Sequence, residues 1–136
     1  MHRSAEHLAL ARFALRWLGL ASVIGVLAGS ASALFLWALD GVTAWRESHR
    51  YIVWGLPFAG FAVAWVYLKF GHTVDAGNNL LIDEIHDPKK TVPLRMAPLI
   101  LISTVVSHLF GASVGREGTA VQMGGALADQ LTHALR

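Results

Sequence analysis

Residues 17–39, WLGLASVIGVLAGSASALFLWAL, carry no charged side chain. A helix needs about 20 predominantly apolar residues to cross the hydrocarbon core of a bilayer, and this run is long enough to do so with some tilt. Trp17, Trp37 and Trp45 stand near its ends, where amphipathic rings favour the headgroup level. The whole chain agrees with that reading. Of its 136 residues 54% are hydrophobic and only 15% charged, against about 25% charged in a typical soluble domain. Mean hydropathy is +0.49. A chain this apolar collapses rather than staying disordered, yet it has too few charges to clothe a water-facing surface. The fold class expected is an all-α integral membrane protein.

Composition removes other classes. With no cysteine, disulfide scaffolds, thiol catalysis and cysteine-bound metals are excluded. A net charge of +2 forms no basic stripe, because the basic residues flank apolar runs, so nucleic acid is not an expected partner. Arg3, Arg12 and Arg16 followed by Ala31-Ser32-Ala33 imitate a cleavable secretory leader. The apolar run continues past that point, which favours a retained helix. Gly25 and Gly29, with Ala21, Ala28, Ser32 and Ala33, form a small-residue surface that predicts close helix packing and no chemistry.

Working outward, residues 51–68 form a second uncharged run, with Pro57 a candidate kink. Residues 96–115 form a third, entered through Pro98 near a first turn. Residues 118–128 are too short to cross alone and suit a half-helix beginning inside the membrane. The expected organisation is therefore an arm over 1–16, membrane helices over 17–45 and 51–69, and a loop with short helices over 70–95. A membrane helix over 96–115 and a half-helix starting at 118 and running to 136 complete it. Basic residues are richer in the arm and in the second loop (Lys69, Lys89, Lys90, Arg95) than in the first (Arg46, Arg50). The positive-inside rule then puts the N-terminus in the cytoplasm.

Two stretches carry possible chemistry. Gly115-Arg116-Glu117-Gly118 breaks apolar sequence on both sides. A charge at membrane depth costs about 2.5–3.5 kcal/mol on insertion scales, so such a pair either lies in a solvated surface loop or faces protein and water inside. Gly111, Gly115, Gly118, Gly124 and Gly125 are more glycine than a surface turn needs, and glycine lets backbone approach a ligand or a helix. Gly118 or Thr119 as a helix cap would leave amide groups beside Glu117, where anions are attracted. A carboxylate there can occupy the anion position and leave it when protonated. In Asp75-Ala76-Gly77-Asn78-Asn79-Leu80, the asparagines either mark a turn or open another half-helix and offer amide donors.

Other features read more plainly. Asp83, Glu84, His86 and Asp87 fit a hydrated helix end better than a metal site. His108 fits a hydrogen-bonded packing histidine better than a proton relay. No nucleophile-and-base motif is present, so neither catalytic residues, a metal nor a cofactor is expected, and the chain is not read as an enzyme.

The run from Gly115 to Gly125, GREGTAVQMGG, resembles the gating-glutamate motif of the CLC chloride channels and antiporters. With the Gly77 segment, the resemblance covers the whole chain as the N-terminal part of a CLC subunit, a fold of membrane helices and half-helices meeting at mid-membrane. Chloride-handling members read Gly-Arg-Glu-Gly-Pro and Gly-Ser-Gly-Ile-Pro, whereas this chain has Thr119 in the proline position and Gly77-Asn78-Asn79-Leu80-Leu81 at the selectivity loop. Both departures are similar to the fluoride-exporting branch, the F⁻/H⁺ antiporters. The resemblance implies Glu117 as proton and anion gate, with Asn78, Asn79, Gly115, Arg116, Gly118 and Thr119 around the anion. It also implies fluoride or chloride, protons and the lipid bilayer as partners, a homodimer, and a bacterial inner membrane location. The same-family alternative is a chloride channel or Cl⁻/H⁺ antiporter; a different class is a small membrane scaffold without its own pore. CLC pores use two inverted repeats, so a chain of this length is expected to be a fragment that does not transport alone.

Overall fold

The computed structural model of the chain describes residues 2–87 and 91–134, with side chains from residue 7. Lys89, Lys90 and Arg136, and the side chain of Arg3, lie outside the described residues. Five α-helices follow in order: α1 His2–Ser48, α2 Leu56–Phe70, α3 Asn78–His86, α4 Met96–Leu109 and α5 Arg116–Ala134. A 3-10 turn, Arg50–Gly55, precedes α2. No strand occurs among the described residues.

Helix α1 is continuous over 47 residues, so the stretch before Trp17 extends the membrane helix instead of forming a separate arm. Nothing in it breaks a helix: there is no proline, and Arg12 and Arg16 are good helix formers. The chain turns where His49 stacks on Trp45 at 4.2 Å and its Nδ1–H donates to the Trp45 carbonyl at 3.0 Å, covering one of the orphan acceptors of a helix end. Pro57 occupies the first turn of α2, where its missing N–H costs nothing, so it starts the helix and does not kink it. Segments 7–48 and 50–70 are long and apolar enough to cross a membrane. Helix α4 is 14 residues and stops six positions short of the expected end at 115. Its chain reverses at Gly111, with φ +94°.

The core takes its buried side chains from α1, α3, α4 and α5, and Tyr67 of α2 packs against it. Phe35 and Leu39 of α1 are fully buried with Leu81 of α3, Met96 and Ala97 of α4, and Met123 and Ala126 of α5. Val74 and Val92 come from the connecting segments. Helix α2 packs on α4, where Tyr67 Oη and Ser103 Oγ are hydrogen-bonded at 3.4 Å. The last turns of α5 hold the approach to α4 by its backbone. The Val92 N–H donates to Asp129 Oδ2 at 2.6 Å, and Gln130 Nε2 donates to the Val92 carbonyl at 2.8 Å. Buried peptide groups need such partners.

Helix α1 meets α5 through Ala28, which a side chain at Gly124 would touch at 3.5 Å. Gly25 and Gly29, expected to form the packing surface, instead face open space. Half-buried Ala28 and Ala31 and fully buried Phe35 and Leu39 trace a neighbouring stripe of the same helix, with the spacing of a helix face. Outward, Leu15, Trp17, Val26, Leu34 and Trp37 of α1, and Phe58, Phe61, Trp65 and Leu68 of α2, are exposed. So large an apolar surface suits lipid or further protein.

At the opposite corner, two glycines let loops interlock. A Cβ at Gly111 would come within 2.6 Å of Val53 Cγ2, and one at Gly55 within 2.7 Å of Phe110 Cε1. Arg46 Nη1 donates to the His108 carbonyl at 3.3 Å, placing a cation at the C-terminal end of α4, where the helix dipole favours it. Gly111→Ala should therefore lower stability by about 1–3 kcal/mol through the left-handed φ and the collision with Val53. The open position Gly60→Ala should be neutral or slightly stabilising. Thermal unfolding in detergent of the two variants beside the parent measures the difference.

Candidate anion site at two helix starts

Each candidate motif begins a helix, and the fold brings the two beginnings together. The Gly77 segment forms a tight turn before α3. The Gly77 N–H donates to the Val74 carbonyl at 3.1 Å, Asn79 N–H to the Ala76 carbonyl at 3.1 Å, and Leu80 N–H to the Gly77 carbonyl at 3.2 Å. Gly77 has φ 58° and ψ −125°. These are the angles of the first central residue of a type II′ turn, a region essentially reserved for glycine. The Asn79 and Leu80 amides are thus engaged within the turn. The donor this turn presents to α5 is the Asn78 side chain, whose Nδ2 lies 3.4 Å from where a Cβ on Gly118 would be. A Cβ at 118 would stand in van der Waals contact with that amide.

Helix α5 starts at Arg116, earlier than a cap at Gly118 or Thr119 would have it. Arg116 and Glu117 therefore belong to the first turn, where N–H groups have no partner within the helix. Glu117 there is favoured by the helix dipole and Arg116 is not. Gly115, Arg116, Glu117, Asn78 and Asn79 are exposed, and Gly118 is half-buried.

Thr119 is placed differently from the others. It is buried, its Oγ1 donates to the Gly115 carbonyl at 3.1 Å, and it is hydrogen-bonded at 3.0 Å to Thr104 Oγ1 of α4. Its hydroxyl braces the loop before α5 against α4. Asn78 also lines an open groove between α1, α3 and α5, together with Ala28, Leu81, Val121 and Gly124.

His108 is buried, with its Nδ1–H donating to the Thr104 carbonyl at 2.9 Å, which is the packing arrangement. Near the end of α3, His86 Nδ1–H donates to the Ile82 carbonyl at 2.8 Å. Among the described residues no group of three or more His, Asp or Glu side chains is arranged to hold a metal. One residue of the region escaped the sequence reading: Gln122, buried one turn after Gly118. Its signal was a polar side chain four positions from Gly118, on the same helix face.

The family model described as voltage gated chloride channel matches residues 59–136. A chloride/fluoride channel protein of Pseudomonas syringae pv. tomato is 67% identical over 134 residues, covering 98% of this chain and 30% of the relative. A crystal structure of a CLC-type fluoride/proton antiporter is similar with a TM-score of 0.83 and 39% identity, covering 90% of this chain and 31% of that one. The chain spans less than a third of the length of either relative.

Because alanine cannot adopt the Gly77 angles without strain of about 1–3 kcal/mol, Gly77→Ala should open the turn. Backbone hydrogen exchange at Asn79 and Leu80 is expected to accelerate by roughly 5- to 150-fold, the range that free energy sets if the turn opens locally.

Proposed function

Because the chain belongs to the voltage-gated chloride channel family, we propose that the intact protein carries anions across a membrane and exports fluoride in exchange for protons. One observation carries the reading. The Asn78 amide lies against Gly118, one residue from Glu117 in the first turn of α5. A donor for a small anion and a carboxylate able to take its place thus share one junction.

Fluoride is smaller than chloride and holds its water more tightly, so a site must replace that hydration with compact, strong donors or lose the ion to solvent. A primary amide offers two N–H donors where a hydroxyl offers one. The unpaired N–H groups at the start of α5 add to the same field. Glu117 is the gate: ionised, it competes with the anion for these donors; protonated, it withdraws and carries a hydrogen ion. Inward proton movement then drives fluoride outward. Gly115 and Gly118 give the anion room at the helix start. Asn79 and Arg116 border the path, and Thr119 acts through the Gly115 carbonyl it holds. The Pseudomonas syringae relative is named for chloride as well as fluoride, so chloride transport by the same junction is the second reading. We further place the N-terminus on the cytoplasmic side of a bacterial inner membrane and expect a homodimer.

The test replaces the matching stretch of the Pseudomonas syringae relative with this chain and reconstitutes the chimera in liposomes. Fluoride efflux should exceed chloride efflux and be accompanied by proton uptake. In Glu117→Gln, fluoride movement should no longer drive protons; persistent coupling removes Glu117 from the mechanism. Asn78→Ser, which removes one donor, should lower the fluoride-to-chloride ratio by about tenfold, the equivalent of a hydrogen bond of ~1.4 kcal/mol. An unchanged ratio would overturn the role given to Asn78, and chloride efflux equal to or above that of fluoride in the parent would favour the second reading.

A further inference from the structure

The face of α5 that meets α3 is built from three positions on one side of the helix: Gly118, Gln122 and Gly125. Gly118 receives the Asn78 amide. Gly125 receives Leu81, whose Cδ2 lies 2.7 Å from where a Cβ would be. Between these two sockets stands Gln122, with only 8% of its surface exposed. Its Nε2 and Oε1 lie 3.5 and 3.7 Å from the Cβ position of Gly77, on the side of the turn that faces α5.

A buried amide is a costly choice for packing alone. Taking such a group from water costs about 1–3 kcal/mol by protein mutational data unless it is compensated, and a methionine would fill the same volume without that cost. The side chain reaches the turn at Gly77, whose angles are essentially reserved for glycine, immediately before Asn78. It offers a donor and an acceptor together, so it can orient a peptide turn in a way no apolar group does. Helix α3 has only nine residues, so its starting turn depends on tertiary support more than on its own propensity.

We infer that Gln122 is a positioning residue, which sets the Gly77–Asn78 turn against the start of α5 and thereby fixes the Asn78 amide beside Glu117. It touches neither anion nor proton itself. Its effect on selectivity rests on the transport reading above, whereas its effect on geometry does not.

The experiment uses the full-length chimera on a cysteine-free background, since this chain contributes no cysteine. Asn78→Cys and Gly118→Cys are introduced together, and the rate of disulfide closure is measured with Gln122 intact and with Gln122→Met. Loss of the amide at constant volume should slow closure by about tenfold, the lower end of what removal of a supporting partner costs at other sites. In the protein without the two cysteines, the same substitution should lower the fluoride-to-chloride ratio by a similar factor. A purely structural residue would lower the transport of both ions alike and leave the ratio unmoved.

Should Gln122→Met fail to give a monodisperse protein, Gln122→Asn serves the same purpose: it keeps the amide but withdraws it by one methylene, and the same slowing is expected. Closure rates equal to the parent overturn the inference, as does an unchanged ratio in an active variant. A parent chimera that moves no anion overturns the transport reading alone, and the closure rate still decides the role of Gln122.

Discussion

The approach of α3 to α5 depends on an absence of bulk. At Gly125 a Cβ would collide with Leu81, while Gly118 and Gly124 bring Asn78 of α3 and Ala28 of α1 to within contact of the α5 backbone. Helices in a bilayer gain little from leaving water, because lipid is as apolar as their own surfaces, so close backbone packing is what holds them together. Helix α5 satisfies that condition on two sides. It can therefore lie between α1 and α3 while its first turn, with Arg116 and Glu117, stays at the edge of the packed region.

The same constraint governs where polar groups are permitted. Thr104, Thr119, His108 and Gln122 are the buried polar side chains among the described residues. Thr119 and His108 return hydrogen bonds to carbonyls four residues earlier, the local solution open to a side chain with no water nearby. Thr104 pairs with Thr119. Gln122 differs, because its amide reaches toward another element of the fold, the turn at Gly77. At the far end of α5, Asp129 and Gln130 hold both backbone groups of Val92 by hydrogen bonds.

The function proposed for this junction rests on two charges excluding one another. A half-helix start offers a limited number of unpaired N–H groups, and a carboxylate in the first turn is itself an anion drawn to them. In the function proposed above, a diffusing halide and Glu117 compete for one field, and the Asn78 amide bears on which halide competes best. The two residues fall on different helices, so their relative position matters as much as their identity.

Much of this was legible in the residues alone. The uncharged run over 17–39, the charged interruption at Arg116-Glu117 and the Gly77-Asn78 punctuation are local properties: hydropathy, charge and glycine freedom act over one or two turns. They were enough to specify helices, membrane and two helix starts. Other features depended on how the helices roll against each other. Of the small-residue surface around Gly25 and Gly29, Ala28 meets α5 while the two glycines face open space, and Phe35 and Leu39 carry the inward face of α1. Arg46 lies among loop charges in the sequence, and it caps α4. The third apolar run continues to 115, but Gly111 turns the chain where Val53 fills the corner. Thr119 belongs to the glutamate motif, and its side chain is turned toward Thr104. Sequence could not supply these, because a helix offers the same residues to every direction around its axis, and only contact with its neighbours selects which of them meet.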